Sequence, residues 1–199
     1  MRRVAICVWN EAELLDFSGP GEVFAAADGG AAFEVYTVGE SDAPIVSQGF
    51  LRVTPQYSIA NCPRPDVIVL PGGGIHHLSV NASMVSWLIT AAAGAEVVLS
   101  VCTGAFLLAA AGLLDGLEAT TWYGAIDRLR AAAPRTRVYA DRRFVDNGRY
   151  VTSAGVSAGI DAALHVVARL LGTEKARETA RYMEYDWDPD KYLPLRGEK

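Results

Sequence analysis

The sequence predicts a doubly wound α/β fold, a mostly parallel sheet sandwiched by helices, and three observations carry that expectation. Several short runs, RVAICVW (3–9), DVIVL (66–70) and EVVLSV (96–101), are apolar almost throughout, as strands buried on both faces of a parallel sheet must be. They alternate with longer stretches of helix-forming residues. Two of the runs stop at small residues, PGGG after the second and CTG after the third, where a chain turning from strand to helix needs little bulk.

Taken in order, RVAICVW is a strand, and SGPGEVFAAAD is a helix for which Ser18 is the expected cap. FEVYTVG is a strand ended by Gly39, and IVSQGFLRVTP is a small hairpin or excursion bending at Gly49. After DVIVLPGGG, the segment NASMVSWLITAAAGA has helical spacing. EVVLSV leads directly into Cys102, and strong helix formers follow from Thr103 to Leu114, ending near Gly112 and Gly116. ATTW (119–122) reads as a short strand and YGAIDRLRAAAP as a helix stopped before Pro134. RVYADRRFVDNGRYVTSAG reads as strands turning at Asp146, Asn147 and Gly148. SAGIDAALHVVARLLG and TEKARETARYMEY are two helices, the first apolar around most of its circumference and therefore well buried.

At 199 residues the chain suits a single domain spanning 1–199, with 51% apolar residues to fill one core. A formal charge of −5 disfavours nucleic acid as a partner. Arg2 and Arg3 precede an apolar run, but Glu11, Glu13 and Asp16 follow within a few positions and no small-residue cleavage pattern appears, so that run reads as a buried strand. No apolar run is long enough for a membrane span. Three cysteines, Cys7, Cys62 and Cys102, do not make a disulfide framework, and a reducing cytoplasm is expected. No CxxC or HExxH spacing points to a metal, and no cofactor is expected.

In such a sheet the crevice lies at the carboxyl ends of the strands, where three turns should converge. They carry Asp16, the glycines Gly72 and Gly73, and Cys102 with Thr103. Cys102 has two readings: a small buried hydrophobe, or a nucleophile displayed at a tight strand-to-helix turn whose amides lower the thiol pKa. The amides of Thr103 and of Gly72 or Gly73 could stabilise an oxyanion, since glycine lets a backbone come close to a reacting atom. Asp16, set between LL and F, is either an exposed turn residue or an acid facing the crevice. In the second case burial raises its pKa, so that it could donate a hydrogen bond to sulfur and work as general acid or base. His76 and His77 follow PGGG and could reach the same place; His165 reads as a satisfied core or interface histidine, and Cys7 and Cys62 as structural.

Together LLDFSGPGEVF, DVIVLPGGG, SVCTGAFLLAAAGLLDG, ATTW and SAGVSAGIDAAL resemble the ThiJ/PfpI superfamily, whose fold is flavodoxin-like and of the class I glutamine amidotransferase-like type. The resemblance covers nearly the whole chain in the family's motif order. Within it, LDFSGP paired with SVCTGA looks most like the isocyanide (isonitrile) hydratases, and related pairings occur in sensor domains of AraC-type regulators. The resemblance implies Cys102 as nucleophile, Asp16 as its acid/base partner, Thr103 beside them, Gly72 and Gly73 at an oxyanion-type site, and a homodimer acting on a small molecule. Two departures stand out. Thr103 occupies the position where protease-like relatives carry histidine, which disfavours Cys-His peptidase chemistry, and ATTW lacks the histidine of the relatives' ATTHW.

The activity implied is hydration of an isonitrile to an N-substituted formamide. A redox- or ligand-sensing protein oxidised at Cys102, and a glyoxalase-like aldehyde hydratase using His76 or His77, are the alternatives. Separation of the Cys102 and Asp16 side chains by more than about 5 Å would count against any joint chemistry.

Overall fold

The computed structural model describes residues 1–73 and 82–191. His76 and His77 lie outside the described residues, and so does the part of PGGG beyond Gly73.

Eleven strands and six helices are described: β1 (Arg2–Cys7), α1 (Leu14–Ala26), β2 (Phe33–Gly39), β3 (Ile45–Ser47), β4 (Leu51–Val53), β5 (Tyr57–Ser58), β6 (Val67–Leu70), α2 (Ala82–Gly94), β7 (Val97–Val101), α3 (Ala105–Ala110), β8 (Glu118–Ala119), α4 (Ile126–Ala132), β9 (Arg137–Val138), β10 (Phe144–Asp146), β11 (Tyr150–Ser153), α5 (Ala158–Leu171) and α6 (Thr173–Tyr182). The main sheet has the order β10-β11-β7-β6-β1-β2-β5, parallel throughout except for β10, which pairs antiparallel with β11 at one edge. This is the doubly wound architecture that the alternating runs predict.

The continuous apolar runs serve two cores at once. Val67 and Val69 of β6, with Val97, Leu99 and Val101 of β7, pack towards Phe17, Val23 and Phe24 of α1 and the apolar face of α5. Ile68, Leu70 and Val98 point the other way, onto Met84 and Leu88 of α2, Leu107 and Leu108 of α3 and Leu129 of α4. Successive residues of a strand face opposite sides, so a central strand has no face to spare for polar side chains. Each fully buried Leu or Ile contributes about 1.5–3 kcal/mol relative to exposure.

Several boundaries differ from expectation. Helix α1 starts at Leu14, so Ser18 is not its cap; the Ser18 hydroxyl lies inside the helix and donates to the Leu14 carbonyl at 2.8 Å. Its N-cap, Glu13, makes no side-chain cap, which is why the start is not marked in the sequence. The helix expected from Thr103 to Leu114 is only α3, because a short 3-10 turn occupies Cys102–Gly104 and the chain turns again before Gly112, whose φ is 69°. Of ATTW only Ala119 is in a strand; Thr120 and Thr121 are buried loop residues whose hydroxyls take carbonyls instead of a ladder. The hairpin β3-β4 and the Asp146–Gly148 turn are as expected, the latter with Gly148 at φ 84° and its amide donating to Asp146 Oδ1 at 2.7 Å.

Candidate active site

Four neighbouring parallel strands, β1, β6, β7 and β11, deliver four loops to one edge of the sheet. After β1 comes the first turn of α1, with Asp16; after β6 come Gly72 and Gly73; after β7 comes Cys102; after β11 comes the segment 154–157. The strand-end convergence required of a doubly wound sheet therefore brings together Asp16, Gly72, Gly73, Cys102 and Thr103.

Cys102 stands at the corner between β7 and the 3-10 turn with φ 56°, a left-handed conformation that costs a non-glycine residue on the order of 1 kcal/mol. Four contacts hold the corner. The Cys102 amide donates to the Ala154 carbonyl at 3.0 Å, the Thr121 hydroxyl donates to the Cys102 carbonyl at 2.7 Å, and the amide and hydroxyl of Thr103 both reach the sulfur. The residue is buried but not sealed, at 8% exposure.

Asp16 is completely buried. Its Oδ2 accepts the Gly72 amide at 2.8 Å, its Oδ1 accepts the Val156 amide at 3.1 Å, and its carboxyl is a hydrogen-bond partner of the Cys102 thiol. The exposed-turn reading of Asp16 is thereby excluded. The Gly73 amide donates to the Thr103 hydroxyl at 3.2 Å. Both glycine amides thus bind side chains of the site itself, Gly72 the acid and Gly73 the threonine. The reason for glycine at 72 is close approach: a Cβ there would lie 2.7 Å from the Thr103 amide nitrogen and 2.8 Å from the Cys102 Cβ.

Burial dominates the proton chemistry. It lifts the Asp16 carboxyl from 3.8 to about 7, opposed by the Gly72 amide and reinforced by the charge of Glu13, with smaller opposition from the Cys102 and Val156 hydrogen bonds. It pushes the Cys102 thiol from 9.0 up to about 12, with the negative charge of Asp16 second, and the Thr103 contacts only partly offset this. The expected lowering of the thiol pKa is therefore corrected. The helix beyond the corner, α3, has only six residues and starts after an intervening turn, so its amides are outweighed by desolvation and by a carboxylate. With the thiol pushed higher than the carboxyl, the thiol is the donor whenever Asp16 is ionised.

Two residues at the site were not singled out from the sequence. Thr121 grips the corner carbonyl, and its only signal was its place in ATTW. Val156, a β-branched residue at φ 55°, presents its amide to Asp16, and nothing in its side-chain type announces that role. Trp122 packs beside the corner, among the partly buried residues of the same core as Cys102. His165 is satisfied elsewhere, its Nε2 being 2.7 Å from Asp146 Oδ2. Cys7 is fully buried, and Cys62 is half-buried with its thiol bonded to Trp87. Among the described residues no cluster of His, Cys, Asp or Glu could hold a metal ion, and no helix is long and apolar enough to cross a membrane.

Comparison with known proteins agrees with this fold. The DJ-1/PfpI family profile matches residues 2–169. The isonitrile hydratase of Pseudomonas putida is 32% identical over 92% of this chain and 78% of its own. The HTH-type transcriptional regulator GbdR of Pseudomonas aeruginosa is 30% identical over 68% of this chain, which spans only 37% of that regulator's length. Among solved structures, a ThiJ/PfpI family protein from Pseudomonas syringae superposes with a TM-score of 0.84 at 29% identity, over 100% of this chain and 79% of its own. DJ-1beta of Drosophila melanogaster shares the fold with a TM-score of 0.80 at 21% identity, over 93% and 98% of the two chains.

Proposed function

The chain belongs to the DJ-1/PfpI family, and from that premise we propose that it is an isonitrile hydratase-like enzyme, converting an isonitrile and water to an N-substituted formamide. The observation that carries this reading is the buried contact between the Cys102 thiol and an Asp16 carboxyl that changes charge near neutrality. An isonitrile has a terminal carbon that must gain a nucleophile and a proton together, which a thiol hydrogen-bonded to a carboxylate supplies.

In the proposed reaction Asp16 in its ionised form takes the thiol proton as the sulfur of Cys102 bonds to the terminal carbon. Asp16 then delivers that proton to the same carbon, leaving a thioimidate. Water adds to the thioimidate carbon; Asp16 receives one water proton and passes it to nitrogen. Cleavage of the C–S bond releases the formamide, and the remaining hydroxyl proton returns to sulfur. Thr103, whose amide and hydroxyl reach the sulfur, stabilises charge there. Gly72 and Gly73 act in this scheme by fixing Asp16 and Thr103. The isonitrile hydratase of Pseudomonas putida, matched over 92% of this chain, supports the assignment.

The same reading takes the protein as a single-domain homodimer of the cytoplasm, working on a small molecule without cofactor, metal or nucleic acid. The net charge of −5 supports the last point. A redox-sensing role is less well supported, since peroxide attacks thiolates and burial keeps Cys102 protonated. The test is to incubate the protein with an aryl or alkyl isocyanide and follow formamide. Turnover by the wild type that is abolished in Cys102→Ala supports the reading, and no turnover, or equal turnover by the variant, removes it.

A further inference from the structure

The corner that carries Cys102 and the loop that holds Asp16 are joined through Trp122. The indole is lodged between two glycines from different segments. A Cβ on Gly155 would lie 2.5 Å from Trp122 Cδ1, and one on Gly124 would lie 2.5 Å from Cζ3 and 2.6 Å from Cη2. The Tyr123 ring leans on it, with centroids 4.9 Å apart. No side chain other than hydrogen fits at either glycine with the indole in place, so the ring has one seat.

What that seat adjoins is the point. Gly155 lies between Ala154, whose carbonyl takes the Cys102 amide at 3.0 Å, and Val156, whose amide donates to Asp16 at 3.1 Å. On the other side, the residue before Trp122 is Thr121, whose hydroxyl holds the Cys102 carbonyl at 2.7 Å. The segment 121–122 therefore grips the cysteine corner by one residue and packs with the next against the loop that grips both Cys102 and Asp16.

We propose that Trp122 is a positioning residue for the Asp16–Cys102 pair, its indole locking the loop 154–156 so that the Val156 amide stays on the Asp16 carboxylate while Cys102 stays at its corner. The inference rests on the hydratase reading only for its turnover readout. The packing argument concerns proton placement alone. Loss of the indole lets the Val156 amide drift from Asp16, removes one hydrogen bond to the carboxylate and makes its ionisation harder. The proton shared by the pair is then lost at higher pH.

The experiment measures alkylation of Cys102 by iodoacetamide against pH, resolved by peptide mass spectrometry in the full chain, beside isocyanide hydration, for wild type, Trp122→Ala, Trp122→Phe and Gly155→Ala. Expected for Trp122→Ala is an upward move, by about one pH unit, of the lower inflection of the alkylation profile, the one set by ionisation of Asp16. Its kcat should fall about tenfold with KM changed by less than about threefold. Trp122→Phe should recover most of both, and Gly155→Ala, which displaces the indole from the other side, should reproduce the loss and carries the test if Trp122→Ala does not fold. In an Asp16→Asn background, Trp122→Ala should add no further shift. An unchanged pH profile in both Trp122→Ala and Gly155→Ala overturns the proposal, as does an effect on KM alone or a shift that persists without Asp16. If no variant, wild type included, hydrates an isocyanide, the hydratase reading fails while the alkylation profiles still decide the role of Trp122.

Discussion

The thiol of Cys102 donates its hydrogen bond to a carboxyl, Asp16, that is itself buried and reluctant to ionise. Neither partner would hold a charge easily alone. Two backbone amides, from Gly72 and Val156, offset part of the burial that opposes ionisation of Asp16, and burial, with the charge of Asp16 second, keeps the proton on sulfur at rest. The pair is poised to pass one proton between oxygen and sulfur, and several consequences can be measured.

The raised carboxyl makes stability depend on pH with a definite sign. Asp16 binds its proton more tightly in the folded chain, at about 7 against 3.8, so its contribution is fully present below the unfolded value and is lost as pH rises through the folded one. Urea unfolding across that window should show the wild type losing roughly 2–4 kcal/mol. In Asp16→Asn this part of the slope should be missing. An identical slope in both proteins would show that Asp16 ionises normally.

Gly72→Ala puts a methyl against the Thr103 amide and the Cys102 Cβ, and those neighbours are backbone or bonded directly to it. The corner must shift, so a loss of about 1–3 kcal/mol on denaturant unfolding is expected. Hydration should fall with it, because Asp16 loses its 2.8 Å partner geometry. Full activity and stability in this variant would mean that the two loops are not in contact.

Cys102 at φ 56° gives a second, independent reading of the corner. Glycine tolerates that conformation and alanine does not, so Cys102→Gly should be more stable than Cys102→Ala by about 1 kcal/mol. Both should be inactive. The usual order, with alanine the more stable, would show that the left-handed corner is not formed.

Ser100 on β7 is fully buried and its hydroxyl finds no partner among the described residues. Removing an orphaned hydroxyl relieves its desolvation, so Ser100→Ala should unfold at higher denaturant, by about 1 kcal/mol, with hydration unchanged. Destabilisation by the same amount would show that the hydroxyl is bonded.

What the sequence made legible follows from what local pattern can encode. DVIVL and EVVLSV announce central strands because two-faced burial leaves them apolar at all but one or two positions, and Cys102 is conspicuous because it ends such a run. The proton balance was not legible. It depends on Gly72 and Val156, which lie far from Asp16 along the chain and offer only their amides, a group every non-proline residue carries. The start of α1 is hidden for a related reason, since Ser18 resembles a cap while Glu13, the actual N-cap, makes no side-chain cap. The helix after Cys102 is shorter than expected because helix propensity in AFLLAAAG says nothing of the left-handed residue that precedes it.

The central claim is that Asp16 carries the proton and does not merely restrain the thiol. The most direct test measures the far-ultraviolet thiolate absorbance of Cys102 and isocyanide hydration together in wild type and Asp16→Asn. Removing the Asp16 charge should lower the thiol midpoint from about 12 and give more thiolate at any pH. Hydration should nevertheless fall by about 100-fold or more, because nothing then moves the proton to carbon and nitrogen. A variant with more thiolate and undiminished hydration would contradict the account.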